Sequence, residues 1–163
     1  MPNKELAKLF VLYGADPTEL SFLHCFFSIR PNFDYLAFLI QDLGLDIEEF
    51  DVNGISALGH VYEEQNYEQL SFLVENGADI NKQMLENGRT LLMDAALRGN
   101  SGMFEFLLKQ GADQEMKCHT GRTVEEYVKM EYIGKPEFTV IEMGQMLYRD
   151  RLMKQVQKRK SQI

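Results

Sequence analysis

The chain has no tryptophan, only four prolines and only two cysteines in 163 residues. Two cysteines, Cys25 and Cys118, cannot build a disulfide framework, so a reducing compartment, the cytoplasm, is the expected location. No stretch approaches the roughly 18 consecutive apolar residues that a membrane-spanning helix needs. The N-terminal residues mix charged and apolar side chains without an unbroken apolar run, and no signal peptide is expected. Positive charge is scarce as well. Lys and Arg number 17 against 25 Asp and Glu, a net charge of −8. That balance argues against nucleic acid, where the electrostatic term would oppose binding from the start. It permits a basic protein partner, although an acidic surface also serves solubility.

Catalytic signatures are missing too. The chain contains no Gly-x-Ser-x-Gly elbow, no phosphate-binding glycine loop and no His-Glu-x-x-His helix. Glu48-Glu49 and Glu63-Glu64 are adjacent carboxylates of the kind that usually form solvated faces. His24-Cys25 and Cys118-His119 lack the two-residue gap of a zinc knuckle and lie far apart in the chain. No enzyme activity, no cofactor and no metal site is therefore expected.

What the chain does have is internal repetition. Gly77-Ala78-Asp79 recurs as Gly111-Ala112-Asp113, 34 residues on, with Gly14-Ala15-Asp16 and the altered Gly44-Leu45-Asp46 before them. A second landmark keeps nearly the same step: Asn53-Gly54, Asn87-Gly88 and Thr120-Gly121. Between landmarks, Leu70, Leu73 and Val74, and then Met103, Phe106 and Leu107, fall at the i, i+3, i+4 spacing of an apolar helical stripe. The glycine after each stripe predicts a left-handed C-cap, and Asn-Gly predicts a tight turn. Ser56, Thr90 and Thr123 stand where a hydroxyl can cap the first helix of a unit.

The unit from Asn87 to Asp113, with Thr90, Ala95-Ala96, Gly99-Asn100 and Phe106-Leu107-Leu108, resembles the ankyrin repeat. Leu91 and Met93 stand where that family has Pro and His. The unit from Asn53 to Asp79 is a looser copy, with Gln65-Asn66 in place of the Gly-Asn turn. The resemblance implies an all-α, ankyrin-type helical solenoid with short β-hairpin loops near 47–55, 80–89 and 114–122. It implies one domain over 1–163: a half repeat at 1–16, repeats at 17–46, 47–79 and 80–113, and a partial repeat at 114–134. A capping helix with a solvated outer face follows at 135–163.

The resemblance also implies a protein partner, held on hairpin tips and on the concave face of the first helices. Carried over by position, those residues are Glu48, Glu49, Phe50 and Asp51, then Met84, Leu85 and Glu86 on the tips. On the first helices they are His60 and Glu63, then Met93, Asp94, Leu97 and Arg98. Apolar anchors within a charged rim suit a protein interface. The role is that of an adaptor, or alternatively of a stoichiometric inhibitor or immunity protein that neutralises a basic enzyme or toxin. The free protein is expected to be a monomer. Leu73, Asp79, Ile80 and Asn81 match the spacing that asparagine hydroxylases accept in ankyrin hairpins, where Asn is also the ordinary residue.

Overall fold

Ser56, Asn66, Thr90 and Asn100 each begin a helix in the computed structural model, which describes residues 33–83, 87–130 and 137–161. The caps form because each side chain offers an oxygen to a backbone N–H that has no intrahelical acceptor. Gly59 N–H donates to Ser56 Oγ at 3.3 Å and Met93 N–H to Thr90 Oγ1 at 3.4 Å. Gln69 N–H donates to Asn66 Oδ1 at 3.2 Å and Met103 N–H to Asn100 Oδ1 at 3.1 Å. The described residues fall into two compact units, one ending at Asp79 and the other beginning at Ile80. The features read between residues 1 and 32, including Cys25, lie outside the described residues.

The first unit holds α1 (Phe33–Gln41), α2 (Ala57–Glu63) and α3 (Tyr67–Glu75). Its core is Leu36, Leu39, Ala57, Val61, Leu70 and Leu73, none more than 1% exposed. Burial of each Leu contributes roughly 1.5–3 kcal/mol. Phe33 of α1 stacks on Phe72 of α3 with ring centroids 4.8 Å apart. The second unit holds α4 (Leu91–Arg98), α5 (Ser101–Lys109), α6 (Val124–Lys129) and α7 (Glu137–Lys160). Helix α4 packs on α5 and α6, and α7 packs on the same two. Phe104, Met103, Leu107 and Met143 are fully buried there. The apolar stripes are thus broader than the i, i+3, i+4 reading. Phe72 and Phe104 join the core, while Val74 and Phe106 are only half-buried, because these helices are contacted on two sides.

The glycines end the helices as their position predicts. Gly77 has φ +102°, and Gly77 N–H donates to Val74 O at 3.1 Å while Ala78 N–H donates to Leu73 O at 2.9 Å. Gly111 and Ala112 repeat this paired closure on Leu108 and Leu107. At the end of α2 the same closure is made without glycine. Gln65, at φ +54°, donates to Tyr62 O, and Asn66 N–H donates to Val61 O.

The expected β-hairpins are slighter than the resemblance implies. Among the described residues there is one antiparallel bridge, Phe50 to Ser56, and no longer ladder. Helix α7 is the expected long terminal helix, but its outer face is not simply solvated and polar: Ile141, Tyr148, Leu152 and Val156 are exposed on it.

Candidate partner-binding surface

The first finger, residues 46–56, is organised by carboxylates that accept from the backbone just after them. Asp46 Oδ1 accepts from Glu48 N–H at 2.8 Å. Asp51 Oδ1 accepts from Asn53 N–H and Ile55 N–H, each at 2.8 Å, and Asp51 Oδ2 lies 2.9 Å from His60 Nε2. Gly54 closes the turn at φ +75°, its N–H donating to Asp51 O. The Ile55 N–H bond, followed by those of His60 and Asn53, outweighs partial burial and lowers Asp51 from 3.8 to about 2. Asp51 and His60 therefore build the finger, and both are only partly exposed.

Bending the backbone in this way pushes apolar side chains outward. Phe50 is 47% exposed, Val52 fully exposed and Ile55 38% exposed. Sequence reading selected Phe50 and missed Val52 and Ile55. Their signal was available: Val52 sits inside the Asp51-Val52-Asn53-Gly54 turn, where a side chain has nothing to pack on. Glu48 is half-buried and accepts from Asp79 N–H at 2.7 Å, tying the finger to the end of the same unit. Glu49 is half-buried, and Glu63 and Glu64 are exposed at the end of α2.

In the second unit, Met84, Leu85 and Glu86 lie outside the described residues. The described residues just before them are held by a neighbouring segment: Asn81 Oδ1 accepts from Asp113 N–H at 2.7 Å, and Gln83 Nε2 donates to Lys117 O at 2.7 Å. Asn81 thus occupies, in its unit, the bridging part that Glu48 has in the first. His119 N–H donates to Asn87 O, and its ring lies against Gly88 so closely that a Cβ there would overlap it.

Two expected contact residues prove to be interior. Met93 is 1% and Asp94 2% exposed, because α4 is covered by both α5 and α6. Asp94 serves as the buried anchor of two cations, Arg98 Nε at 2.6 Å and Arg89 Nη2 at 3.2 Å. Of the four α4 positions, Leu97 remains half-buried and Arg98 exposed.

Cys118 lies in the 114–122 loop, where its N–H donates to Arg122 O and its O accepts from Gly121 N–H, and its thiol is buried. Burial pushes the thiol up, but hydrogen bonds with Thr120 and Tyr127 and from the backbone N–H groups of Arg122 and Thr120 together bring it down to about 7. Among the described residues no three His, Cys, Asp or Glu side chains gather as a metal site would require. No described helix is long and apolar enough to cross a membrane.

Residues 60–108 match the family model described as ankyrin repeats (many copies). Over 61 residues, 37% of this chain, the sequence is 39% identical to the rat ankyrin repeat and SAM domain-containing protein 6, of which that match spans 7%. Over 83 residues, half of this chain, it is 34% identical to the mouse B-cell lymphoma 3 protein homolog, of which it spans 18%. The chain thus covers only a small part of these relatives. Among solved structures, the ankyrin repeat domain of Bcl-3, a member of the IkappaB protein family, superposes with a TM-score of 0.51 at 27% identity, over 66% of this chain and 44% of that one.

Proposed function

The chain is an ankyrin-repeat protein, and we propose that it acts by holding a partner protein on its fingers and on the exposed positions of its inner helices. Ankyrin repeats are protein-interaction modules on an all-helical scaffold. The observation that carries the reading to particular residues is the outward set of Phe50, Val52 and Ile55 on one carboxylate-organised finger. An apolar cluster ringed by Glu48, Glu49, Asp51 and His60 has the composition of an interface: anchors in the middle and charge at the edge. Leu97 and Arg98 are the corresponding positions of the second unit; Met84, Leu85 and Glu86, expected with them from the resemblance, lie outside the described residues. The protein works as a binder and not as an enzyme.

The partner's charge is the finer part of the reading. A net charge of −8, with Glu63 and Glu64 exposed at the C-terminal end of α2, favours a basic protein over nucleic acid. A stoichiometric inhibitor of a basic enzyme and an adaptor would both use this surface. Two cysteines in 163 residues suit a reducing, cytoplasmic setting.

The test compares affinity capture from the native source by the wild-type chain and by the triple variant Phe50→Ala, Val52→Ala, Ile55→Ala. These side chains are exposed, so the variant should melt with the wild type. Proteins captured by the wild type and lost by the variant, and then shown to bind directly with affinity weakened by about 2 kcal/mol or more, would support the reading. Equal capture by both would place binding elsewhere.

A further inference from the structure

Two arginines of the second unit stand one repeat apart at the same place, directly before the threonine that begins a first helix: Gly88-Arg89-Thr90 and Gly121-Arg122-Thr123. They are held differently. Arg89 Nη2 donates to Asp94 Oδ1 at 3.2 Å, and the buried Asp94 also takes Arg98 Nε at 2.6 Å, so one carboxylate is shared by two guanidiniums. Among the described residues the other N–H groups of Arg89 have no acceptor, and its Nε is buried without one. Arg122 is exposed, and no described acceptor meets its guanidinium. Both arginines lie near one point. Helix α4 packs on α6, where burial and then Cys118 push the Tyr127 hydroxyl up while the charges of Arg89 and Arg122 act in the opposite sense. The carboxylates flanking Arg122 in sequence are engaged elsewhere. Glu126 Oε2 accepts from Thr123 N–H at 2.9 Å, and Glu125 holds Lys129 and Arg151.

We infer that Arg89 and Arg122 form a subsite of the second unit for an acidic peptide segment, each guanidinium taking a carboxylate of a partner protein. The inference rests on the reading that the chain holds such a partner, and it names one chemical group that the partner must offer. Three arguments select a carboxylate. A guanidinium is a planar fork of donors that matches a carboxylate in shape and charge, and these two have donors to spare. Arg89 is already held by Asp94, so little side-chain freedom is lost when an acceptor arrives. Spacing is suitable as well. Packed helices such as α4 and α6 lie roughly 8–10 Å apart. That is the reach of about three residues of extended chain at ~3.3 Å each, so acids three positions apart on one segment meet both arginines. An acidic segment here is compatible with a basic partner overall, because the acidic finger belongs to the other unit.

The test is an NMR titration of the full chain, observed at the arginine Nε–H groups, at low ionic strength. The probe is a blocked peptide with glutamate at every third position, and its glutamine counterpart is the control. The Arg89 and Arg122 signals should move together and saturate with one dissociation constant of about millimolar, while the glutamine peptide leaves them in place. Added salt should weaken the binding. Arg122→Gln alters an exposed, unpaired side chain, so it should melt like the wild type and bind the glutamate peptide about fivefold or more weakly. The net charge of −8 discourages an acidic peptide from binding at random, and the basic end of α7 is the competing site. Replacing Lys158, Arg159 and Lys160 together by Gln should leave the affinity unchanged. Absence of saturable shifts at the two arginines would overturn the inference. So would binding that survives Arg122→Gln and disappears with the α7 cations. Because the titration needs no partner protein, its failure removes this subsite and leaves the finger variants to judge partner binding separately.

Discussion

Asp51 shows how one carboxylate can shape a finger. It accepts from two backbone N–H groups and faces His60, and its pKa is lowered from 3.8 to about 2. A carboxyl that is more acidic folded than unfolded stabilises the fold fully above its unfolded value. That contribution is lost as pH falls from about 4 through about 2. Asp51→Asn should therefore lower stability at neutral pH and flatten the acid limb of a Tm-against-pH profile between those values, and an unchanged profile would refute this role. Gln65 illustrates the opposite case, a residue in a conformation that costs energy. It sits at φ +54° where the better-matched unit has Gly99 at φ +71°. Gln65→Gly should raise stability by about 1 kcal/mol in urea denaturation, since the two closing bonds, Gln65 N–H to Tyr62 O and Asn66 N–H to Val61 O, both come from the backbone and are kept by glycine.

Among the elements, α7 divides into a packed part and a projecting part. Up to Arg151 it covers α5 and α6 with Met143, Met146 and Leu147, and Arg151 reaches Glu115 and Glu125 at 3.3 Å. From Leu152 to Ser161 every residue is exposed. A chain ending at Gly134 should lose more than ~3 kcal/mol, the transfer term of a few buried apolar side chains. A chain ending at Arg151 should melt close to the full-length protein. Thermal melts of the two truncations read both outcomes, and equal destabilisation would show that the projecting turns also matter. The repeat glycines and the hydroxyl caps Ser56 of α2 and Thr90 of α4 were legible in advance because capping is local chemistry: a hydroxyl three residues before an N–H, a glycine just past the last carbonyl; Asn66 and Asn100, read only as turn residues, cap α3 and α5 in the same way. The second apolar face of α7 was legible only as composition. Which of two faces a helix buries depends on what lies against it.

For the molecule as a whole, charge is unevenly distributed. A net charge of −8 coexists with six cations between residues 149 and 160, so the remainder of the chain is more acidic than the total suggests. If the partner is basic, reversing the exposed Glu63 and Glu64 to Lys should slow association and flatten its salt dependence, while dissociation changes less. Stopped-flow or surface-binding kinetics at two ionic strengths would read this, and unaltered association rates would exclude the acidic end of α2 from the encounter. Glu48 is unsuited to that test because it accepts from Asp79 N–H, and Asp94 because it is the buried partner of Arg89 and Arg98.

Repeat length, helix order, caps and turns follow from the order of residues, because each depends on neighbours within a few positions or on one recurring step of about 34. The family resemblance needed nothing more. Which side chains face solvent did not follow in the same way. Met93 and Asp94 occupy positions that the resemblance assigns to an open inner face, yet two neighbouring helices cover them. Val52 and Ile55 were passed over and stand exposed. Burial is the product of contacts between residues tens of positions apart, and a periodic pattern specifies a stripe without naming the surface that will lie against it.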